Sequence, residues 1–323
     1  MNDIINSLIA SGSPLILLLL AGIADRLHWR WLIFIAVGLL GLSEVIIGYI
    51  GFALATSLAG GRPVIAVDSF VPLVAGLSTL ALLMPRWRFW VKRRILAQPG
   101  NDTLIDLVAL IYLAQGVLAS VLPALVQQLP SSAIIPTESL PTNNLATLLI
   151  TSASYGLAAI LVINAHFSRT LTQMRERLGW AKLHIDDITW GLGGALVAFF
   201  VSLGVASIGS SLDPAGTAVA REYTGQISMA AGSAIGLAIA VVVAGIMEET
   251  LFRGAIQPRL GLVRTAALFA ILHAGYGLFS FAALSLFMIA ILFGLLRRRR
   301  GNTLAPALAH AGYNLIIVLV MTL

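Results

Sequence analysis

Long apolar runs, most of about twenty residues, constrain this chain more than any other feature of its sequence. Only helices and closed barrels satisfy their backbone hydrogen bonds in lipid, and continuous runs of this length favour helices. The sequence therefore predicts an all-α fold, a polytopic transmembrane helical bundle. The eighth segment is too short to cross a hydrocarbon core of about 30 Å comfortably, so we expect it to be tilted or half-buried. There are ten segments, at about 4–24, 31–59, 68–84, 103–129, 144–166, 188–208, 226–250, 265–275, 279–296 and 303–323.

The composition agrees with a membrane protein. Hydrophobic residues make up 59% of the chain and charged residues 11%, whereas a soluble protein has about 25% charged residues. The chain contains no cysteine, which excludes disulfides, cysteine nucleophiles and thiolate metal sites. The net charge of +6 is explained by membrane topology, described next, so no nucleic-acid partner is expected.

Basic residues are distributed asymmetrically between the two sides of the predicted bundle. When the loops are assigned to alternate sides, Arg62 and Arg221 fall on one side and the other eighteen basic residues fall on the opposite side. The positive-inside rule then predicts a multi-pass protein of the cell membrane with the basic loops in the cytoplasm and both termini outside. Anionic lipid headgroups are the expected partners of these loops. The basic loops contain residues 26–30, 86–94, 169–182, 253–264 and 297–300.

A polar loop, Ser168 to Asp187, divides the chain into two regions. Residues 1–182 form a membrane region of about five spans without an assigned role, and residues 183–323 contain every motif described below, within 245–314. Two acidic residues lie in apolar segments of the first region. We interpret Asp106 as interfacial, and Glu44 as either a packing residue or part of a site. A transporter would also place acidic residues here, but no inverted repeat supports that alternative.

The adjacent carboxylates of Glu248 and Glu249 end the seventh apolar segment. A carboxylate at membrane depth costs about 2.5–3.5 kcal/mol, which makes it a candidate functional residue. On a helix, Glu249 and Arg253 are four residues apart and pair on one face, whereas Glu248 is turned about 100° away. The alternative is an acidic pair at a helix end that reaches for water.

Two further motifs follow along the chain. His273 lies on an apolar helix four residues after Phe269, and His310 and Asn314 are also four residues apart. A histidine on an apolar face is often a core residue, and a His–Asn pair can simply link helices. The topology nevertheless brings these side chains towards the two glutamates. A carboxylate beside a histidine can activate water, and a His–Asn pair can stabilise an oxyanion, so the set suits hydrolysis of an acyl or peptide bond within the membrane.

These residues resemble the motifs of a known family, the CAAX prenyl protease and bacteriocin-processing (CPBP, or Abi) intramembrane glutamate endopeptidases. The family motifs are Glu-Glu-x-x-x-Arg, Phe-x-x-x-His and His-x-x-x-Asn. This chain has all three in the family order, and the resemblance covers about residues 225–320. The matching stretches run from Glu248 to Arg253, from Phe269 to His273 and from His310 to Asn314.

The resemblance implies a role for each residue. Glu248 and His273 would hold and activate the attacking water, while His310 and Asn314 would stabilise the oxyanion. Glu249 and Arg253 would support the local geometry. The substrate would be a membrane-associated protein or peptide cleaved near the cytoplasmic face, and no cofactor is expected. Two alternatives remain: a zinc-dependent protease that uses the same residues, and a non-catalytic membrane immunity or scaffold protein.

Overall fold

The structure is a computed structural model that describes residues 2–58, 65–96, 103–126, 134–135, 144–163 and 169–322. Arg62, Ser168 and the predicted ends of the second, fourth and fifth apolar segments lie outside these ranges. Besides the helices, the described residues contain one pair of two-residue parallel strands, β1 (Ile65–Ala66) and β2 (Ile134–Ile135). The α-helices are α1 (Asn2–Arg26), α2 (Arg30–Leu58), α3 (Val67–Leu83), α4 (Pro85–Ile95), α5 (Leu104–Val126), α6 (Leu145–Ile163), α7 (Leu171–Leu178), α8 (Ile185–Leu212), α9 (Pro214–Ala231), α10 (Ala234–Glu249), α11 (Gln257–Leu260), α12 (Leu262–Leu272), α13 (Phe281–Arg300) and α14 (Leu304–Thr322).

The helices confirm an all-helical, multi-pass membrane protein, although not the count of ten segments as spans. Within the described residues, six helices are long and apolar enough to cross a membrane, or seven if α3 and α4 form one bent span. The bend between α3 and α4 is 100° and occurs at Met84–Pro85, where proline disfavours helical backbone for the preceding residue. Helix α12, which corresponds to the eighth segment, has 11 residues, too few to span a bilayer.

The seventh apolar segment is divided between α9 and α10. Gly232 ends α9 with a left-handed φ of 72°, a conformation that glycine adopts without steric cost. Ser233 then caps α10, because its hydroxyl oxygen accepts a hydrogen bond from the Gly236 backbone N–H at 3.0 Å. The sequence pattern missed this break because serine and glycine are tolerated within apolar runs.

The N-terminal region has its own core and a polar cluster around Glu44. Helices α2 and α3 pack closely against each other. The Gln115 amide, from α5, donates hydrogen bonds to both carboxylate oxygens of Glu44, at 2.9 and 3.1 Å, and to the Thr79 hydroxyl. Glu44 therefore links α2 to α5, and it does not line the cavity described below. Of the two interpretations left open, the contacts favour packing.

Contacts also cross the predicted boundary between the two regions. Asp106 forms ion pairs with Lys92, at 3.6 Å, and with Arg259, which lies on α11 of the second region. These basic partners are distant in sequence, so local spacing did not reveal them. Helix α6 packs against α10 and against the segment that follows α10. The N-terminal region is thus packed directly against the helices that carry the motifs.

The segment around α7 holds the start of α14. Gly179 ends α7 with a left-handed φ of 74°, and its carbonyl accepts the Thr303 N–H at 2.8 Å. The Thr303 hydroxyl donates to the carbonyl of Leu178. The Asn302 side-chain oxygen accepts the N–H groups of residues 304 and 305 and so caps the first turn of α14.

The run of four arginines at the end of α13 is divided between two environments. Arg300 pairs with Asp187 at 2.9 Å and with Asp186 at 3.4 Å. The side chain of Arg297 packs over Gly179. Arg298 and Arg299 are exposed, so these two remain the candidates for lipid contact.

The glycine contacts between α2 and α3 predict a sensitive position. A Cβ atom at Gly76 would lie 2.5 Å from the Gly41 carbonyl oxygen and 2.8 Å from the Val45 nitrogen. We expect Gly76→Ala to lower the free energy of unfolding by about 1–3 kcal/mol, because the helices must separate. Gly193→Ala is the control, since a Cβ there meets no atom within 4 Å. Thermal unfolding in detergent compares the two, and equal midpoints would contradict the prediction.

Candidate active site

A π-helical segment, Thr250–Ile256, continues directly from α10 and follows the two glutamates. Such segments are rare and are found frequently at functional sites. The Thr250 hydroxyl donates to the Ile246 carbonyl at 2.8 Å. A Cβ atom at Gly254 would lie 3.0 Å from the Leu178 carbonyl oxygen. The glycine therefore allows the widened turn to pack against the end of α7.

Glu249 connects two of the three motifs. One of its carboxylate oxygens accepts a hydrogen bond from Arg253 Nε at 2.8 Å, which confirms the predicted pair four residues apart. The other oxygen lies 3.1 Å from His310 Nδ1. The side chains of Glu249 and Arg253 are fully buried. Since a buried carboxylate beside a guanidinium is charged and only accepts hydrogen bonds, Nδ1 of His310 carries the proton, and Nε2 is the nitrogen left for chemistry.

Small residues bring α10 and α14 close enough for this contact. A Cβ atom at Gly245 would lie 3.0 Å from the backbone nitrogen of Ala311, the residue after His310. Asn314, one turn further along α14, donates from Nδ2 to the Val241 carbonyl at 3.0 Å. This bond ties the second half of the His–Asn motif to α10 as well. Asn314 spends one of its two amide N–H groups on this bond. The second N–H and the side-chain oxygen are left for a ligand.

Glu248 and His273 form a second pair, on a different face of α10. His273 Nε2 lies 3.7 Å from a Glu248 carboxylate oxygen, which is longer than a hydrogen bond. His273 Nδ1 lies 2.8 Å from the Phe269 carbonyl, and since a carbonyl only accepts, Nδ1 carries the proton and Nε2 presents a lone pair. Two acceptors at this separation suit a water molecule that bonds to both.

Aromatic rings fix both histidines. The Phe269 ring stacks on the His273 ring with centroids 4.3 Å apart, and it meets the His310 ring edge-on at 5.8 Å. Phe293, from α13, lies 5.1 Å from His310. The four-residue spacing of Phe269 and His273 gave a sequence signal for the first contact. Phe293 gave none, because its partner is 17 residues away on another helix.

A cavity of about 1290 Å³ joins the catalytic candidates. Glu248, His273, His310 and Asn314 all line it, whereas Glu249 and Arg253 do not. The structure therefore brings the six predicted residues together in two layers, with four at the cavity and two behind it. Side chains from α1, α5 and α6 of the N-terminal region complete the wall, a contribution that the motifs did not indicate.

The geometry bears on the zinc alternative. Among the described residues, no group of three or more histidine and acidic side chains is placed to bind one metal ion. Glu249 already uses one oxygen for Arg253 and the other for His310. A zinc ion bound by both glutamates and both histidines would require these contacts to break.

The fold and site define a class of protein, a multi-pass helical membrane protein with paired glutamate and histidine side chains at a large internal cavity. Residues 230–316 match the family model described as type II CAAX prenyl endopeptidase Rce1-like. The match includes all three motifs and is consistent with the family resemblance seen in the sequence. It supports a CAAX-protease-type intramembrane peptidase. Neither the curated proteins nor the solved structures gave a match.

The buried ion pair behind the cavity predicts a large loss of stability on mutation. Arg253→Met leaves the Glu249 carboxylate without its guanidinium, and breaking a buried pair in this way costs about 3–5 kcal/mol. The double variant Glu249→Gln/Arg253→Met removes both charges, so we expect it to recover part of the loss. Arg298→Met, at an exposed position, is the control. Unfolding in detergent micelles measures all three, and an Arg253→Met protein as stable as the control would contradict this role.

Proposed function

We propose that this protein is an intramembrane endopeptidase that hydrolyses a peptide bond of a membrane-associated protein or peptide. The observation that carries the proposal is the pairing of Glu248 with His273 across 3.7 Å, in the cavity that His310 and Asn314 also line. Each of the four side chains has a chemical role in peptide hydrolysis. The match of residues 230–316 to a peptidase family supports the same reaction.

In the proposed mechanism, a water molecule bonded to Glu248 and His273 attacks the carbonyl carbon of the scissile bond. Its oxygen forms the new bond to carbon while one proton moves to the Glu248 carboxylate, which acts as general base. The carbonyl oxygen gains the negative charge and accepts hydrogen bonds at the His310–Asn314 side. The C–N bond then breaks, and the proton held by Glu248 is transferred to the leaving amine.

Glu249 and Arg253 act in this mechanism through His310. Because Nδ1 of His310 donates to Glu249, its Nε2 can donate to an oxyanion only when the ring is an imidazolium. The Glu249 carboxylate, 3.1 Å away, stabilises that charged form. We therefore propose that Glu249 contributes to oxyanion stabilisation as well as to local geometry.

The first test uses a library of quenched membrane-peptide substrates with purified protein. We expect the wild type to cleave members of the library and Glu248→Gln to lose about 10²- to 10⁴-fold in rate, the contribution of general-base catalysis. Glu176→Gln, at an exposed position on α7, is the matched control and should keep the wild-type rate.

Other outcomes of this experiment distinguish the alternatives. Activity that is lost with a chelator and restored by zinc would favour the metalloprotease. Absence of cleavage, together with an unchanged cellular phenotype of Glu248→Gln, would favour the non-catalytic immunity or scaffold protein. Cleavage that persists in Glu248→Gln would contradict the assigned base.

We propose the membrane orientation from the charge distribution, with the basic loops in the cytoplasm, both termini outside and the cleavage site near the cytoplasmic face. Anionic lipid headgroups are then the proposed partners of the exposed Arg298 and Arg299, since such lipids are abundant in the cytoplasmic leaflet.

The absence of cysteine from the sequence allows a direct test of this orientation. Single cysteines at Lys182 and Ser211, both exposed, report opposite predicted sides. In intact cells, a membrane-impermeant maleimide should label Ser211→Cys and leave Lys182→Cys unlabelled until the membrane is opened. The reverse pattern would invert the proposed topology.

A further inference from the structure

Of the three tyrosines from outside the matched family segment that line the cavity, two lie within electrostatic range of Glu248. Tyr155 lies on α6 and Tyr223 on α9, and both share the cavity with Glu248 and His273. Neither belongs to a motif, and Tyr155 comes from the N-terminal region. The hydroxyl groups of these residues are candidates for a role that the family motifs do not describe.

Helix α6 packs against α10 next to the carboxylate of Glu248. A Cβ atom at Gly156 would lie 2.5 Å from the sulfur of Met247, the residue before Glu248. Ser152, Gly156 and Ala159 form a buried face of small residues on α6. This face allows the two helices to pack closely, and it fixes Tyr155, one residue from the crossing, beside the cavity end of α10.

Both phenols lie within electrostatic range of the Glu248 carboxylate. Three other tyrosines of the cavity each lie beside a hydroxyl side chain, Tyr112 beside Ser13, Tyr276 beside Thr224 and Tyr313 beside Ser202. Among the described residues, the Tyr155 hydroxyl has no such side chain beside it.

Tyr223 has a structural task that Tyr155 lacks. Its ring packs edge-on against Tyr276 with centroids 4.8 Å apart, and a Cβ atom at Gly275 would lie 2.5 Å from it. Tyr223 thus supports the turn that follows His273. Tyr155 is the better candidate for direct contact with substrate.

The proposed reaction needs hydrogen-bond donors at the oxyanion. The motif side chains that could supply them already donate some of their hydrogen bonds within the protein. His310 donates through Nδ1 to Glu249, and Asn314 donates one N–H to the Val241 carbonyl. A phenol keeps its proton at neutral pH and donates without first gaining a charge. Tyr155 supplies a donor of this kind beside the carboxylate that activates water.

We propose that Tyr155 is a further catalytic residue, whose hydroxyl donates a hydrogen bond to the carbonyl oxygen of the scissile peptide as it becomes an oxyanion. The inference rests on the proposed endopeptidase function. It gives the N-terminal region a part in catalysis, since residues 230–316 alone would lack this donor.

Tyr155→Phe tests the hydroxyl while keeping the ring. Using a substrate found in the library, we expect kcat to fall about 100-fold, as on loss of one oxyanion donor, with KM changed by less than about three-fold. Tyr49→Phe is the matched control, because Tyr49 is exposed on α2 and should keep the wild-type kcat. A packing role for Tyr155 would leave Tyr155→Phe as active as the control and would overturn the inference.

Two additional measurements separate the remaining outcomes. If Tyr223→Phe loses kcat and Tyr155→Phe does not, the donor comes from α9 and the inference is wrong. If the wild type and Glu248→Gln are equally inactive, the endopeptidase function fails, and the role of Tyr155 fails with it.

Should Tyr155→Phe not fold, difluorotyrosine at this position keeps the hydroxyl and loses its proton nearer neutral pH. The alkaline decline of kcat should then move to lower pH, and an unchanged profile would overturn the inference.

Discussion

The buried carboxylate of Glu249 is the interaction on which the arrangement of this site depends. It accepts a hydrogen bond from Arg253 on the π-helical segment and contacts His310 on α14, so one side chain fixes three elements relative to one another. A charge in this environment is tolerated only when partners compensate its loss of hydration, and each lost partner leaves an uncompensated charge. The three residues therefore form a unit, in which the position of the histidine is set by a side chain that does not reach the cavity.

The two adjacent glutamates have separate tasks because consecutive residues of a helix point in different directions. Glu249 faces α14 and is sealed from solvent, whereas Glu248 faces the cavity and His273. Both histidines are held through Nδ1, one by a carboxylate and the other by a backbone carbonyl. Fixing Nδ1 selects the tautomer and leaves Nε2 for reaction. The π-helical segment begins directly after Glu249, and its wider turn keeps the side chain of Arg253 beside the Glu249 carboxylate.

The motif-bearing helices do not enclose the cavity by themselves. Helices α1, α5 and α6 form part of its wall, and the ion pair between Asp106 and Arg259 joins the two regions. The close contact between Gly156 and Met247 places α6 beside Glu248, the proposed general base. In the proposed function, a cavity of this kind would keep an apolar substrate segment out of water while the polar groups act on one peptide bond. The N-terminal region is thus part of the environment of the site.

The sequence by itself determined the helical membrane architecture, the six candidate site residues and the pairing of Glu249 with Arg253. These follow from local rules, since lipid requires internally bonded helices and residues four apart on a helix lie on one face. Other features depended on tertiary packing. The resemblance already placed Glu248 with His273, but the contact of Glu249 with His310 is set by the neighbouring helix that Glu249 faces. The basic partners of Asp106 and the place of Tyr155 at the cavity likewise arise from contacts between residues distant in the chain. The break at Gly232 is local, since a left-handed glycine and the Ser233 cap produce it. The periodicity of the sequence shows which face of a helix carries polar or small residues. Which neighbouring helix covers that face depends on how the helices pack.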